Sequence, residues 1–421
     1  MAWHGTLEGI AKRLRSQQSA IIADQNNSSR EKSLRSFTSK EASSLLGITE
    51  SHLRNRVSNA DGFPQGTLIG KNRVFRLDEI IAARQWLYEN TGNLRYKPGR
   101  RAGDGLCVIA NTNFKGGVGK STSTVHLGQF LALKGYRVLI VDLDAQASST
   151  ALFGIDPARH VGRDADGRVL PAGTSIHGWI SRNTGEDDSA AADAIRRTYW
   201  PNIDLVAASA ILHSSEDILK QRSMPNMHAP ITEVDWHREV RAFIDHVGAA
   251  YDVAILDCRP DINMLSVNAF SAADGLIIPV LATNMDLQSM TEFMAFLAVT
   301  ERRLLKMYGQ DAWPGWAFVR VLVNRYVGTS RPQTEVVDSM NLVLGPLMIR
   351  NPMVETSALG SAGNMKWTLY EYVPAKSEDR SYKRALAAMD AVGSVIEREV
   401  LSFWGRKPQE AGNEAYGVAA E

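Results

Sequence analysis

The most chemically suggestive stretch of the sequence combines glycines, lysines and hydroxyl side chains. Residues 113–122 read NFKGGVGKST and directly follow an apolar run typical of a buried strand. Glycines allow backbone N–H groups to converge on phosphate oxygens without a side-chain clash. A helix that begins at this point adds a partial positive charge. The segment therefore predicts a phosphate-binding loop between a strand and a helix.

The polar side chains of this loop have separate expected roles. Lys120 is expected to bridge the β- and γ-phosphates of ATP, and the Ser121 hydroxyl to bind Mg²⁺. The expected cofactors are therefore ATP or ADP with Mg²⁺. The expected nucleotide contacts of the loop are Lys115, Gly116, Gly117, Val118, Gly119, Lys120, Ser121 and Thr122.

Two later apolar runs end in carboxylates. One is VLIVDLDAQAS, which contains Asp142 and Asp144, and the other is VAILDCRPD, which contains Asp257. The carboxyl ends of parallel strands meet at one edge of the sheet, where nucleotides bind in open α/β folds. Asp257 is therefore a candidate for holding Mg²⁺ through water. The alternative is that these aspartates only cap the ends of their strands.

The loop departs from the usual G-x-x-x-x-G-K-[ST] pattern. Phe114 replaces the first glycine, and Lys115 follows it. A second lysine at this place resembles the deviant Walker A loop of the ParA/MinD class of P-loop ATPases. In that class the extra lysine reaches across a dimer to the partner's nucleotide. The resemblance thus implies a catalytic role for Lys115, beside Lys120, and a homodimer.

The same resemblance implies roles for strand-end residues. The family motif DxDPQ matches here with Ala145 in place of proline; by resemblance Asp144 positions the attacking water and Asp142 supports the Mg²⁺ shell. Asn324 matches an asparagine that reads the adenine edge in relatives, whereas the alternative is a strand-end cap. Arg259 replaces the first proline of the family's D-x-P-P segment, which leaves the conformation of this switch open.

From residue 106 onward, strand-like runs alternate with helical stretches. Most of the runs are continuously apolar, as in strands buried on both faces. The pattern predicts an α/β fold with a mainly parallel sheet and flanking helices, the P-loop NTPase architecture. Residues 159–193 are polar, which predicts an insertion or a loop. The strand-like runs are Leu106–Asn113, Val138–Leu143, Ile203–Ala207, Val253–Asp257, Leu276–Val280 and Phe318–Asn324.

Residues 37–60, FTSKEASSLLGITESHLRNRVSNA, have the pattern of a helix-turn-helix. Thr38 or Ser39 is expected to cap the first helix, Gly47 to end it, and Thr49 to cap the second. Side chains of the second helix are then free to reach phosphates and base edges in a major groove. A small helical module that binds protein is the alternative.

The following segment, GTLIGKNRVFRL, predicts a hairpin that resembles the wing of a winged helix. Asp78 is expected to cap the helix after it. The candidate DNA-binding residues of this unit are Arg54, Asn55, Arg56, Lys71 and Arg73.

The distribution of charge also divides the chain near residue 105, just before the first strand-like run of the α/β part. The whole chain has a net charge of +1, yet its first 105 residues contain 17 Lys/Arg and 10 Asp/Glu, and the rest contain 30 and 36. A basic front and an acidic body indicate units with different partners. The expected regions are an N-terminal helix and linker (1–35), a winged helix-turn-helix domain (36–90), a linker (91–105), a ParA-type ATPase domain (106–402) and a flexible tail (403–421).

Several classes of protein are excluded. The two cysteines, Cys107 and Cys258, form neither a metal-ligand pattern nor a disulfide framework. There is no apolar stretch of the length that spans a membrane, and the C-terminal segment is not a basic amphipathic helix of the kind that binds membranes. We therefore expect a cytoplasmic protein without membrane contact, and the resemblance to the ParA class implies that it associates with the nucleoid.

The resemblance to ParA covers about residues 106–400, and a weaker one to the winged domain of large ParA/RepA proteins covers about 36–90. It implies a plasmid partition ATPase whose ATP-bound dimer binds nonspecific DNA and whose weak hydrolysis is stimulated by a ParB/RepB-like centromere-binding protein. The N-terminal domain would bind operator DNA for autoregulation. The candidates for nonspecific DNA contacts are Arg350, Lys366, Lys383 and Arg384.

Two alternatives stay open. One is a transcriptional repressor that senses nucleotide without significant turnover. The other is an ATPase that positions a cargo other than DNA.

Overall fold

The computed structural model describes residues 32–157, 175–182, 189–223, 236–364 and 366–406, together with the isolated residues 9, 10, 13, 16 and 17. Most of the predicted N-terminal helix therefore lies outside the described residues. The predicted tail does so from residue 407 onward.

The first unit, here called the small domain (residues 37–91), combines three helices with a three-stranded antiparallel sheet in the order β1-β3-β2. Its strands are β1 (Phe37–Thr38), β2 (Thr67–Ile69) and β3 (Asn72–Phe75), and its helices are α1 (Ser39–Leu46), α2 (Glu50–Asn59) and α3 (Leu77–Thr91).

Local sequence signals explain the first two helices. The Thr38 side chain caps α1 and forms a capping box with Glu41. Gly47 ends α1 in the left-handed region, with φ 65°, and Thr49 caps α2. The expected cap at Asp78 is wrong, since α3 begins at Leu77 and Asp78 already lies in its first turn.

The second unit contains a seven-stranded sheet in the order β10-β9-β4-β8-β5-β7-β6. All neighbours pair in parallel except β6, which pairs antiparallel with β7. This confirms the predicted α/β fold. The strands are β4 (Cys107–Asn111), β5 (Val138–Asp142), β6 (Ile195–Arg197), β7 (Ile203–Val206), β8 (Val253–Asp257), β9 (Gly275–Leu281) and β10 (Phe318–Asn324).

Helices cover both faces of this sheet. Alternate residues of β4 belong to different hydrophobic cores, Cys107 and Ile109 to one and Val108 and Ala110 to the other. The helices are α4 (Lys120–Lys134), α5 (Ser148–Leu152), α6 (Ile176–Ser181), α7 (Ser189–Asp193), α8 (Leu212–Ser223), α9 (Glu239–Val247), α10 (Met264–Ala272), α11 (Asn284–Tyr308), α12 (Arg331–Leu344), α13 (Ser357–Asn364) and α14 (Asp379–Phe403).

Two short helices, α6 and α7, lie among the described residues of the segment 159–193, for which the sequence predicts an insertion or a loop. Because α6 buries Ile176, Trp179 and Ile180 in the core, a loop is wrong for this part of the segment. Among the helices in the described ranges, none is long and apolar enough to cross a membrane.

The small domain lies against the end of α4. The Arg84 guanidinium on α3 donates to the carbonyl oxygens of Leu45 at 2.5 Å and Leu133 at 3.3 Å. Gly135 follows α4 with φ 101°, and a Cβ atom there would lie 2.8 Å from the Arg84 side chain. The absence of a side chain at Gly135 therefore allows this close approach of the two units.

A single buried carboxylate joins four parts of the chain. The Glu371 side chain is 2 % exposed and accepts hydrogen bonds from the linker before the small domain, from α4, from the β6–β7 turn and from its own loop. Burial alone would raise the pKa of Glu371, but the Lys32 ammonium and the hydrogen bonds hold it below its usual value. The donors are Lys32 Nζ (2.8 Å), Gln129 Nε2 (2.8 Å), Trp200 Nε1 (3.1 Å), Thr368 N (3.0 Å) and Tyr199 Oη.

We expect Glu371→Ala to lower the free energy of unfolding by about 3–5 kcal/mol, because it leaves the Lys32 ammonium buried without its counter-ion. Urea unfolding monitored by circular dichroism measures the change. Glu335→Ala, which breaks the exposed Arg331–Glu335 pair, is the matched control and should cost at most about 1 kcal/mol. Equal losses in the two variants would contradict this account of Glu371.

Candidate nucleotide site and basic surfaces

The phosphate loop (residues 113–122) connects β4 to α4, as its sequence predicts. Gly117 and Gly119 have φ values of 74° and 87°, which glycine adopts without steric cost. The Asn324 amide nitrogen donates to the Val118 carbonyl at 2.7 Å. A Cβ atom at Gly119 would lie 2.8 Å from that nitrogen. Asn324 thus supports the loop backbone, and its contact with adenine remains a prediction.

Lys120, the first residue of α4, points its ammonium back into the loop. The residue is 6 % exposed, and Nζ donates to the Lys115 carbonyl at 2.9 Å. Burial lowers the pKa of Lys120, whereas the negative charges of Asp257 and its neighbours oppose this effect. A buried cation in a glycine-rich loop at the start of a helix is suited to binding phosphate.

Asp142 and Asp257 lie opposite each other at the ends of the paired strands β5 and β8. Both are fully buried, and burial raises the pKa of both carboxyl groups, to about 6 for Asp257. Each lies in the negative field of a neighbouring aspartate. Two buried carboxylates at one edge of the sheet favour a cation between them and the phosphates.

The two carboxylates differ in their hydrogen bonds. Asp142 accepts from Thr150 N at 2.9 Å, Thr150 Oγ1 at 2.7 Å and Asp144 N at 3.1 Å, so one of its oxygens is engaged by α5 and the other by the loop after β5. Asp257 accepts from Ser149 Oγ at 2.7 Å through Oδ2. Its Oδ1 atom is buried and has no hydrogen-bond partner within the described ranges.

The residues present fit Mg²⁺. The free Asp257 oxygen and the hydroxyl of Ser121, which lies close enough to lower the pKa of the same carboxyl group against the effect of burial, are the hard oxygen ligands that this ion prefers. The described residues contain no group of three or more His, Cys, Asp or Glu that would form an all-protein cage. Few protein ligands, with phosphate and water completing the shell, are usual for Mg²⁺.

Asp144 lies just beyond the buried pair and is half-buried. Its carboxylate accepts from Gln146 N at 2.9 Å, and Ala147 then turns the chain with a positive φ of 54°. The carboxylate therefore shapes the turn before α5. Its contact with an attacking water remains a prediction.

Helix α11 holds the unusual start of the loop. Phe114 packs against Phe293 and Phe296, with ring centroids 4.4 and 5.3 Å apart. Lys115 Nζ forms an ion pair with Asp286 Oδ2 at 2.7 Å, and the Asp286 side chain is 1 % exposed. The two departures from the usual motif thus have one structural partner. Sequence reasoning missed Asp286, because only its place in the first turn of α11 marks it.

In the small domain, the candidate DNA-binding residues differ in how exposed their side chains are and in whether other residues hold them. Arg54 and Asn55 are exposed on α2, and the Arg54 side chain is 76 % exposed. Arg56 is half-buried: its Nε donates to His52 Nε2 at 3.0 Å, and its guanidinium lies 5.5 Å from the centre of the Trp86 ring.

The hairpin between β2 and β3 carries the other two candidates. Lys71 is exposed in the turn. Arg73 is half-buried and donates to the Gln65 carbonyl. Leu68 and Ile69 on β2 are 61 % and 63 % exposed, so the hairpin presents apolar as well as basic side chains to solvent.

The four candidates for nonspecific DNA contacts are all exposed. Lys383 and Arg384 lie in the first turns of α14, where Lys383 pairs with Asp379 at 2.7 Å. Lys366 follows α13 and has a positive φ of 55°. Arg350 follows α12 on a different part of the chain. Their exposure permits contact with a polyanion.

The fold and this site define a P-loop nucleotide-binding protein with a mostly parallel sheet. A family model described as "AAA domain" matches residues 106–307. "Putative replication protein A" of Rhizobium rhizogenes is 33 % identical over 377 residues, 89 % of each chain. "Chromosome partitioning protein ParA" of Caulobacter vibrioides is 30 % identical over 189 residues, 45 % of this chain and 61 % of that one.

A solved structure titled "Partition Protein" has the same fold, with a TM-score of 0.60, 16 % identity and coverage of 94 % of this chain and 99 % of that one. The chain belongs to the ParA-type plasmid partition ATPases.

We expect Mg²⁺ affinity to fall as the pH is lowered below about 6, by roughly tenfold per pH unit, since a proton and Mg²⁺ compete for Asp257. The folded pKa is raised, so without metal the fold should lose stability as the pH rises from about 4 through about 6. Mg²⁺ titration of the ADP-bound protein at about pH 5 and about pH 7.5 measures the affinity.

Asp257→Asn is the control, since any pH dependence that it retains comes from the nucleotide's own phosphate. If the Mg²⁺ affinity of Asp257→Asn depended on pH in the same way as that of the wild type, the proposed role of Asp257 would be contradicted.

Proposed function

We propose that this chain segregates plasmid DNA by a cycle of ATP binding and hydrolysis. ATP and Mg²⁺ bind at the phosphate loop and favour a homodimer that binds nonspecific DNA of the nucleoid. A ParB/RepB-like centromere-binding protein then stimulates hydrolysis and releases the dimer. The observation that supports this most is the convergence of Lys115, Lys120 and Asp257 on one edge of the sheet.

In this proposal, the residues around the phosphate loop have separate roles. Backbone N–H groups and Lys120 bind and orient the phosphates, and Asp257 with Ser121 holds Mg²⁺. When bound, Mg²⁺ neutralises phosphate charge that would otherwise repel an attacking water. Asp144, which follows the buried pair, orients that water. Asn324 keeps the loop in its conformation through the Val118 carbonyl.

Slow hydrolysis in the absence of a partner follows from the position of Lys115. Its ammonium is paired with Asp286 of the same chain at 2.7 Å. The lysine of a deviant Walker A loop acts in the neighbouring subunit, so Lys115 must exchange Asp286 for the partner's nucleotide. That exchange requires dimerisation, which makes turnover depend on assembly.

We propose two kinds of DNA contact. The small domain is a winged helix-turn-helix that binds operator DNA, with Arg54 and Asn55 on the recognition helix and Lys71 on the wing. Nonspecific DNA is contacted by exposed lysines and arginines of the ATPase unit, Lys366 among them. Phosphate contacts of this kind are independent of sequence and sensitive to salt.

A second candidate function is a nucleotide-sensing repressor without significant turnover. The contact of Lys32 with the Leu152 carbonyl at the end of α5, at 2.5 Å, favours it. This contact ties the linker of the small domain to α5, the helix whose Ser149 and Thr150 hydroxyls donate to Asp257 and Asp142. The two functions differ in one measurable respect: a partition ATPase hydrolyses ATP when DNA and a partner protein are added, whereas the repressor does not.

We expect Lys120→Ala to reduce ATP hydrolysis measured with DNA and the centromere-binding partner by about 100-fold or more, because the phosphates lose their central cation. The measurement is phosphate release at saturating ATP. Arg331→Ala, at a side chain that is 90 % exposed, is the control and should match the wild type. Hydrolysis that is unchanged in Lys120→Ala would overturn the catalytic assignment, and no turnover in the wild type would favour the repressor.

We expect Lys366→Gly to weaken nonspecific DNA binding and to lower the slope of log affinity against log salt by about 0.9, the value for one phosphate contact. Stability should change by less than about 1 kcal/mol, since glycine relieves the positive φ while it loosens the unfolded chain. Filter binding at several salt concentrations and urea unfolding give the two numbers. An unchanged slope would remove Lys366 from the DNA surface.

A further inference from the structure

Arg259 lies in the loop between β8 and α10, two residues after Asp257. The sequence here is Asp-Cys-Arg-Pro-Asp, with arginine at the position of the first proline in the D-x-P-P segment that this stretch resembles. Proline has no side-chain donor, so the exchange introduces a cation beside the metal-binding strand end. The surroundings of this cation indicate what it binds.

The Arg259 side chain is withdrawn from water but poorly satisfied. It is 16 % exposed, and its Nη2 atom lies 3.3 Å from Asp261 Oδ2 on a half-exposed side chain. Its Nε atom is buried and has no hydrogen-bond partner in the described part of the chain. A buried donor without an acceptor is costly, which points to an acceptor supplied by a ligand.

The nearby carboxylates do not supply that acceptor. Glu216 on α8 lies close enough for the Arg259 charge to act on its pKa. However, its oxygens accept from Met264 N at 2.9 Å and Leu265 N at 3.0 Å, at the start of α10. Glu216 therefore holds the end of the loop through backbone N–H groups, and no hydrogen bond joins it to Arg259 in the described part of the chain.

The loop that carries Arg259 begins beside the phosphate loop, since Cys258 N donates to the Asn111 carbonyl at the end of β4 at 3.1 Å. Asp257 and Asp261 are both near enough to Lys120 for their charges to raise its pKa against the effect of burial. Arg259 stands between these two aspartates in sequence and pairs with one of them. Arg259 thus lies in a loop that starts next to the phosphate loop and contains a charge, that of Asp261, which acts on Lys120.

We propose that Arg259 binds the terminal phosphate of ATP and so distinguishes ATP from ADP. This rests on the proposed nucleotide site. A guanidinium offers several donors in a fixed plane that match the oxygens of a phosphate. In the state described, Asp261 holds the guanidinium; with ATP bound, the phosphate replaces Asp261 and supplies the acceptor for Nε. Arg259 is then a nucleotide contact that a proline at this position lacks.

The test is equilibrium binding of Mg²⁺ with either ADP or a non-hydrolysable ATP analogue to the full-length chain. In Arg259→Gln, the affinity for the analogue should fall about 10- to 100-fold, as for loss of a charged hydrogen bond. The affinity for ADP should stay within about threefold. Arg259→Lys, which keeps the charge but loses the planar fork, should lie between wild type and Arg259→Gln.

The exposed Arg331 supplies the matched control, Arg331→Gln, which should bind both nucleotides like the wild type. Equal weakening of ADP and the analogue in both Arg259 variants, or no weakening of either, would overturn the proposal. A third arm adds inorganic phosphate to the ADP complex. If phosphate stabilises the wild type and Arg259→Gln to the same extent, Arg259 does not bind a terminal phosphate.

Asp261→Asn should change the affinity for the ATP analogue in the opposite direction from Arg259→Gln. Removing the competitor for the guanidinium should tighten binding of the analogue, and this gain should shrink in the double variant with Arg259→Gln. A gain of equal size in both backgrounds would mean that Asp261 acts only through its charge, and would count against the proposal.

Lys120→Ala separates this inference from the proposed site. If Lys120→Ala binds both nucleotides like the wild type, the nucleotide site itself is misassigned. If Lys120→Ala loses binding and Arg259→Gln does not, only the role of Arg259 fails.

Discussion

Two carboxylates that face each other at the buried end of neighbouring strands govern the architecture of the site. Asp142 and Asp257 are in register and inaccessible to water, so their charge must be balanced from within the protein or by a bound cation. The chain treats them differently. Asp142 accepts hydrogen bonds from α5 and from the loop before it, whereas Asp257 keeps a free oxygen. Asp142 therefore supports the segment that follows β5, and Asp257 has an oxygen available for metal, while the role of Asp142 in the Mg²⁺ shell stays a prediction.

The long helix α11 is a second element on which the site depends. It receives Phe114 on an aromatic surface and Lys115 on the buried Asp286. A phosphate loop that begins with glycine would need neither contact. Here the packing of Phe114 fixes the start of the loop, and the ion pair with Asp286 holds the Lys115 ammonium next to the site. Movement of α11 and availability of Lys115 are consequently linked through the same few contacts.

Sequence reasoning succeeded where the signal is local. Continuous apolar runs located the strands of the parallel core, and Thr38, Gly47 and Thr49 marked helix ends through capping chemistry that acts within four residues. It failed at β6, a three-residue edge strand with one apolar side chain. It also failed at α6, whose buried face is set by Trp179 within a mostly polar region.

The unpredicted part of the site consists of contacts between distant residues. Asp286 lies 171 residues from Lys115, and Glu371 lies 339 residues from Lys32. Neither acid stands in a motif, and each acquires its role only when the sheet brings its helix or loop into place. The phosphate loop and the strand-end aspartates could be predicted because the residues that define them are consecutive in sequence. The residues that support them, Asp286 and Glu371, could not be predicted, since only the packing of distant segments brings them into place.

The Lys32–Glu371 pair limits how the ATPase unit can be separated from the small domain. A fragment that starts after the small domain keeps every strand of the seven-stranded sheet but lacks the lysine that neutralises Glu371. Its buried carboxylate would take up a proton or draw water into the interface between α4 and the loop that carries Lys366. The linker before the small domain is thus physically part of the ATPase unit, although the small domain separates the two in sequence.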